Sequence, residues 1–140
     1  MKVVINKCYG GYGLSRLALQ RYAELKKMPP VLFYTSDPFN DRYRRVSATD
    51  DLQGSISVCC VGEDLGEFTT GDEAYKNQVL EDHKIERHDP ILVKVVEELK
   101  AEADAHFAKL KIVKIPDGVE YDIAEYNGKE SIQEKHRSWA

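Results

Sequence analysis

The sequence predicts an α+β fold, a two-layer sandwich in which a mixed β-sheet is packed by two main helices and a short C-terminal helix. The chain opens with a strand, helix, strand pattern, which favours a parallel crossover. A second amphipathic helix begins near residue 90, and two adjoining strands near the end of the chain favour antiparallel pairing. With 140 residues, we expect one domain, 1–140, in which residues 36–80 form a loop-rich excursion from the core.

The opening of the chain predicts two strands and one helix. Residues 3–5 are apolar and β-branched, which suits a buried strand. Ser15 is the expected N-cap of a helix that ends near Lys27, before two consecutive prolines. Residues 31–35, VLFYT, then favour a second strand.

The middle of the chain, from Ser36 to about Gln78, is polar and rich in turn residues. Within it, SISVCCV at residues 55–61 favours a strand, and the remainder favours loops. We therefore expect an excursion from the core here and not a separate domain.

The second main helix has the clearest signals. Asp89 is its expected N-cap, and Pro90 occupies the first helical position, where a missing amide hydrogen costs nothing. Apolar residues at helical spacing extend the helix to about Asp104 and give it one face for the sheet. These apolar residues are Leu92, Val95, Val96 and Leu99.

Two strands and a short helix are expected after this helix. LKIVKI at residues 110–115 alternates apolar residues with lysines, and VEYDIAEY begins another strand at Val119. Asn127 and Gly128 predict a turn. Residues 129–136 have the length of a short helix, which we expect to close the fold.

Composition and charge restrict the classes of partner. With 42% apolar and 31% charged residues, and with no membrane-length apolar run or signal-peptide pattern, we expect a cytoplasmic protein without a membrane partner. Residues 1–45 carry nine Lys and Arg against three acids, a net charge of +6, whereas residues 46–140 carry eleven against twenty-one, a net charge of −10. This asymmetry disfavours a long nucleic acid and favours a small anionic ligand bound near the first third.

The three cysteines predict free thiols. Cys59 and Cys60 are neighbours in sequence, which makes a disulfide between them poor in geometry, and we expect both in or near the core. Cys8 is expected to be a half-buried thiol, because a nucleophile would need a histidine beside it and the four histidines are distant in sequence. No Cys and His spacing is typical of a zinc site, and we expect no metal and no cofactor. The histidines are His83, His88, His106 and His136.

The glycine-rich stretch KCYGGYG, residues 7–13, admits two interpretations. Its place between a strand and a helix N-terminus suits binding of an anion through backbone amides, with Lys7 adding charge and Ser15 a hydroxyl. Alternatively it is a tight connection over which Tyr9 and Tyr12 pack. Its glycine spacing matches neither the P-loop nor the dinucleotide-binding fingerprint.

The stretch DRYRR, residues 41–45, is a second candidate for ligand binding. Its arginines suit a phosphate, and Tyr43 offers a face on which a base can stack. Alternatively the stretch is a solvated loop in which Asp37 and Asp41 pair with the arginines.

The stretch KHRSW near the end of the chain also admits two interpretations. Trp139 either packs against the core and pins the terminal helix or covers a ligand site beside His136 and Arg137.

Two segments resemble a family of small, mostly uncharacterised proteins encountered in bacteriophage and prophage genomes. The resemblance covers residues 1–27 and 86–139, and INKCYGG and KHRSW are its most specific motifs. It implies a phage setting and an action on host defence or host metabolism.

Together these features predict a phage-encoded, non-enzymatic protein that sequesters a small phosphate-bearing ligand, such as a nucleotide or a nucleotide-derived host immune signal, in the cytoplasm of an infected bacterium. Two alternatives remain open: an enzyme that modifies or hydrolyses such a nucleotide, and an interaction module that inhibits a host protein. A homodimer would let the arginines of one subunit complete the glycine site of the other. The expected ligand-binding residues are Asn6, Lys7, Tyr9, Gly10, Gly11, Tyr12, Ser15, Arg42, Tyr43, Arg44, Arg45, His136, Arg137 and Trp139.

Overall fold

A computed structural model describes residues 1–37, 41–52 and 57–134, which form two compact units. The first unit comprises Met1–Ala18 and the chain from Ile85 onward, and the second comprises Leu19–Lys84. The combination of helices and strands confirms the predicted α+β class. The expectation of a single domain stays a prediction.

The described chain contains twelve helices and strands besides two short 3₁₀ turns at Asp82–Lys84 and Lys100–Ala103. None of its helices combines the length and the apolar character that a membrane span requires. In chain order the elements are β1 (Lys2–Asn6), α1 (Arg16–Leu25), β2 (Leu32–Asp37), β3 (Arg42–Val46), β4 (Val58–Val61), β5 (Phe68–Thr69), α2 (Gly71–Lys76), β6 (Gln78–Leu80), α3 (Pro90–Leu99), β7 (Leu110–Lys114), β8 (Tyr121–Tyr126) and β9 (Lys129–Glu134).

The first unit contains the antiparallel pair β1–β7, the hairpin β8–β9 and the helix α3. The predicted start of α3 is confirmed, because the Asp89 carboxylate accepts a hydrogen bond from Ile91 N at 2.8 Å and Pro90 follows this cap. The helix ends at Leu99, earlier than predicted, since Lys100 takes a φ of 54° and starts a 3₁₀ turn. The apolar face of α3 is buried, at Leu92, Val93, Val95 and Val96.

The second unit is built on a five-stranded sheet in the order β5-β3-β2-β4-β6. Phe33 and Tyr34 are neighbours on β2 and belong to two different core clusters, as do Cys59 and Cys60 on β4. Both cysteines are buried as predicted. The segment predicted as a loop-rich excursion supplies four strands and α2. Its sequence favoured loops because these strands are short and carry polar residues on their exposed positions.

The predicted mixed sheet with a parallel crossover is wrong. Every strand pair within the described ranges is antiparallel. β1 pairs with β7, whereas β2 lies in the five-stranded sheet, so α1 connects two different sheets. The crossover expectation failed because the partner of β1 comes from the far end of the chain.

The predicted C-terminal helix is also wrong over its described part, because residues 129–134 form β9. Asn127 and Gly128 form the expected turn, with φ values of 49° and 89°. Two consecutive positive φ angles are typical of the tight turn that joins hairpin strands, so the chain returns along β8.

Candidate functional site

A buried asparagine joins three loops of the first unit. Asn6 lies at the end of β1 and is 0% exposed. Its Nδ2 donates to Cys8 O at 2.8 Å and to Gly128 O at 2.7 Å, and its Oδ1 accepts from Lys109 N at 2.8 Å. One side-chain amide therefore ties together the glycine-rich loop after β1, the turn of the β8–β9 hairpin and the loop before β7.

Two glycines allow these loops to approach one another closely. A Cβ atom at Gly10 would overlap Phe107 O, and a Cβ atom at Gly128 would lie 2.5 Å from Gly11 N. Both positions therefore require glycine because backbone from another loop lies against them. For Gly10 this observation favours the interpretation of a tight connection.

Each of the three joined loops presents one exposed aromatic ring. Tyr9 is 62% exposed, Phe107 60% and Tyr126 72%. Three exposed lysines lie beside the rings: Lys7, Lys109 and Lys129. The backbone of Lys7 donates to Lys109 O at 2.7 Å, and the Lys129 ammonium lies 5.5 Å from the centre of the Tyr9 ring. We call these three rings and three lysines the aromatic platform.

A buried ion pair fastens the hairpin beside the platform. Arg87 donates to both carboxylate oxygens of Glu130, and the amide of Asn6 donates to Glu130 Oε1 at 2.8 Å. The Arg87 guanidinium also lies 3.4 Å from the centre of the Tyr12 ring. The negative charge of Glu130 is thus neutralised within the unit, so this carboxylate does not offset the positive charge of the lysines.

Cys8 and Ser15 are engaged in contacts within the first unit. Cys8 Sγ donates to Phe107 O at 3.0 Å and lies 3.4 Å from Asn6 Oδ1, so its hydrogen-bond partners among the described residues are carbonyl oxygens. Ser15 is the N-cap that the sequence predicts, since its Oγ accepts from Ala18 N at 3.1 Å. The same hydroxyl donates to Glu102 O at 2.6 Å.

Comparison of the chain with protein-family models, curated proteins and solved structures found no match. Among the described residues, no group of three or more His, Cys, Asp or Glu side chains is placed to hold a metal ion. We therefore infer the function from the exposed rings and lysines of the platform.

The predicted arginine site lies on β3 of the second unit and is largely paired with acids. The Arg42 guanidinium stacks 3.7 Å from the centre of the Phe68 ring and lies 3.7 Å from Asp37 Oδ2. Arg45 Nη1 lies 2.8 Å from Asp64 Oδ2. The Asp64 carboxyl has a lowered pKa, first because Gly66 N donates to it and then because of Arg45.

The groove beside these residues suits a phosphate poorly. It has a volume of about 500 Å³, and three carboxylates line it together with Arg42 and Tyr43. The Tyr43 hydroxyl lies 3.4 Å from that of Tyr75, and burial raises the pKa of Tyr43 to about 12. The expectation that residues 42–45 contact the ligand stays a prediction. The carboxylates are Asp37, Asp41 and Asp72.

The platform contains predicted and unpredicted residues. Asn6, Lys7, Tyr9 and Gly10 were expected at the site, and the structure brings them together. The sequence did not indicate four residues of the platform, because they are remote in sequence from the glycine-rich stretch: Phe107, Lys109, Tyr126 and Lys129. The predicted residues His136, Arg137 and Trp139 lie outside the described residues.

Proposed function

We propose that the protein binds a small phosphate-bearing ligand of the nucleotide class on the aromatic platform. The observation that carries the proposal is the joining by Asn6 of three loops, each of which supplies one exposed ring and one lysine. Stacking of a base on such a ring contributes about 1–3 kcal/mol to the free energy of binding, and the ammonium groups of lysines attract phosphates.

The protein acts by sequestration and not by turnover. A nucleophilic thiol needs a base close to its sulfur atom, whereas the partners of Cys8 are carbonyl oxygens. Release of a modified nucleotide by the pure protein would contradict this part of the proposal and favour the enzyme alternative.

The biological setting of the proposal is a bacteriophage infection. The resemblance of INKCYGG and KHRSW to phage proteins supports this setting, and the positive charge of the first third of the chain supports an anionic ligand. In this setting the protein removes a nucleotide-derived signal of host immunity from the bacterial cytoplasm. The proposal includes a homodimer in which residues 42–45 of one subunit reach the ligand site of the other. Elution of the protein from a gel-filtration column as a monomer would contradict the homodimer but not the ligand site.

Mass spectrometry of small molecules released from the denatured protein identifies a ligand that survives purification. Binding of ATP and of cyclic dinucleotides is then measured for the wild type and for Phe107→Ala, which removes a ring but keeps the backbone contacts of that loop. We expect at least a tenfold loss of affinity. Val79→Ala, which removes an exposed apolar side chain of the second unit, is the control and should bind like the wild type.

Charge is tested with Lys109→Gln combined with Lys129→Gln. Affinity should fall, and its dependence on salt should weaken, because fewer counterions are displaced on binding. Lys94→Gln combined with Lys100→Gln changes two exposed lysines elsewhere in the unit and is the control. Equal affinities for the two double variants would contradict a phosphate site on the platform.

Exposed tyrosine and phenylalanine rings on a fixed surface also suit a protein partner, since aromatic residues dominate binding energy at interfaces. This second candidate function predicts that no nucleotide binds and that a host polypeptide is captured in a manner that depends on Phe107 and Tyr126. The nucleotide titrations therefore separate the two functions.

A further inference from the structure

A groove separate from the rings of the platform lies within the first unit. It runs between one face of the β1–β7 pair and the β8–β9 hairpin, with a volume of about 390 Å³. Small-molecule sites have volumes of about 300–1,000 Å³ and mostly apolar walls with a few polar groups. The apolar wall consists of Ile5, Val113, Ile115, Pro116, Val119 and Ile132.

One end of the groove is positively charged. Lys7 and Lys111 both line this end. In the strand register Lys111 pairs with Ile5, which is two residues before Lys7 in sequence. Glu130 lines the same region, but its carboxylate is held by Arg87 through two hydrogen bonds. The two lysines therefore leave an excess of positive charge at this end.

The other end of the groove is lined by apolar side chains together with the Tyr121 hydroxyl and Glu134. From Lys111 in β7 to Ile115, the residue after its end, the chain extends about 13 Å at the rise of a strand. At this end the Tyr121 hydroxyl lies 2.6 Å from His88 Nδ1, and burial raises the pKa of Tyr121. Glu134 lies opposite Tyr121 in the hairpin register and marks the rim.

We propose that this groove binds an unbranched aliphatic carboxylate of the fatty-acid type, with its carboxylate at Lys111 and Lys7 and its chain along Val113 and Ile115. The cationic end matches one negative charge, and the apolar wall matches a chain of up to about 13 Å. The Glu134 carboxylate at the far rim disfavours a ligand with a second anion at its tail. This binding activity goes beyond the proposed nucleotide function and does not depend on it.

Isothermal titration with sodium decanoate tests the proposal, and decanol serves as the uncharged analogue. We expect decanoate to bind the wild type more tightly than decanol does. Lys111→Gln should weaken decanoate binding at least fivefold and leave decanol binding unchanged. Lys114→Gln, a change of an exposed lysine elsewhere on β7, is the matched control and should bind like the wild type.

Val113→Phe, which fills the groove, should weaken the binding of both compounds, provided that its amide spectrum shows the native fold. Absence of decanoate binding to the wild type would overturn the proposal, and so would equal binding of decanoate and decanol. An equal effect of Lys111→Gln and Lys114→Gln would also overturn it. Since Lys111 is not part of the platform, nucleotide binding by Lys111→Gln reports separately on the proposed function.

Discussion

The guanidinium of Arg87 holds the carboxylate of Glu130 through two parallel hydrogen bonds, Nη1 to Oε1 at 2.7 Å and Nη2 to Oε2 at 2.9 Å. Only 19% of the Arg87 side chain and 7% of the Glu130 side chain are exposed. Arg87 Nη1 also donates to Val4 O at 3.3 Å, so the pair connects β9 with β1. The hairpin that supplies Tyr126 and Lys129 to the platform is thereby fixed to the rest of its unit.

Arg87→Met should strongly destabilise the first unit, because it leaves the Glu130 carboxylate buried without its partner. Loss of one member of a buried pair costs about 3–5 kcal/mol. Urea unfolding followed by circular dichroism measures this loss. Lys2→Met breaks the half-exposed pair Lys2–Glu97 and is the control, with an expected cost of about 0–1 kcal/mol. Similar costs for the two variants would show that Arg87 does not clamp the hairpin.

Asn6→Ala should loosen all three platform loops together. The substitution removes the hydrogen bonds of a buried amide to Cys8 O, Gly128 O and Lys109 N, each of which contributes about 0.5–1.5 kcal/mol. We expect hydrogen exchange to accelerate at the amide of Lys109, which donates to Asn6 Oδ1. Asn77→Ala is the matched change in the second unit, where the side chain donates to Glu73 O at 2.8 Å. Unchanged protection of Lys109 in Asn6→Ala would contradict the joining role.

Gly128→Ala should cost more stability than Gly118→Ala. Both glycines have positive φ, 89° and 77°, so both substitutions carry similar backbone strain. Only at Gly128 would the new Cβ meet backbone atoms, 2.5 Å from Gly11 N and 2.6 Å from Tyr9 O. Thermal unfolding should show a larger decrease in melting temperature for Gly128→Ala, together with weaker nucleotide binding. Equal melting temperatures would mean that the glycine loop moves aside without cost.

Stability should fall as pH rises above about 9. Burial raises the pKa of Cys60 from its ordinary value of 9.0 to about 12, so between these values the unfolded chain loses a proton that the folded chain keeps. Unfolding then releases a proton, which decreases the free energy of unfolding by up to about 1.4 kcal/mol per pH unit for one group. Tyr43 adds to the decrease between pH 10 and about 12. Urea unfolding at pH 8 and pH 10.5 measures the decrease, and Cys60→Ala should reduce it; an identical decrease in that variant would exclude Cys60 as a source.

Parts of the fold could be predicted because their signals are local. The cap at Asp89 and the apolar spacing of α3 lie within eleven consecutive residues, and VLFYT is rich in β-branched and aromatic residues. β9 was missed although its turn was predicted, because KESIQE has too few apolar residues to show a strand period. β4 lies within residues 55–61, where a strand was predicted, but β3, β5 and β6 were missed. β5 and β6 contain only two and three residues, and β3 carries three arginines among its five residues.

The candidate site could be predicted only on one of its three loops. Lys7 and Tyr9 stand beside the glycines in sequence, and the glycine-rich composition of that loop predicted a ligand site there. Phe107 and Tyr126 reach the platform through hydrogen bonds that Asn6 makes over long sequence distances. The ion pair of Arg87 with Glu130 joins residues 43 positions apart, and no spacing rule predicts such a partner.

The discontinuous first unit imposes an order on folding during synthesis. The amino group of Met1 donates to Ile115 O at 2.6 Å, and these residues are 114 positions apart. At about 5–20 residues per second, β1 leaves the ribosome roughly 5–20 seconds before its partner strand exists. Residues 19–84 emerge within that interval and form a unit whose strands pair with one another. The nascent chain therefore displays an unpaired apolar strand while its inserted segment folds, and an unpaired strand of this kind favours association with other chains.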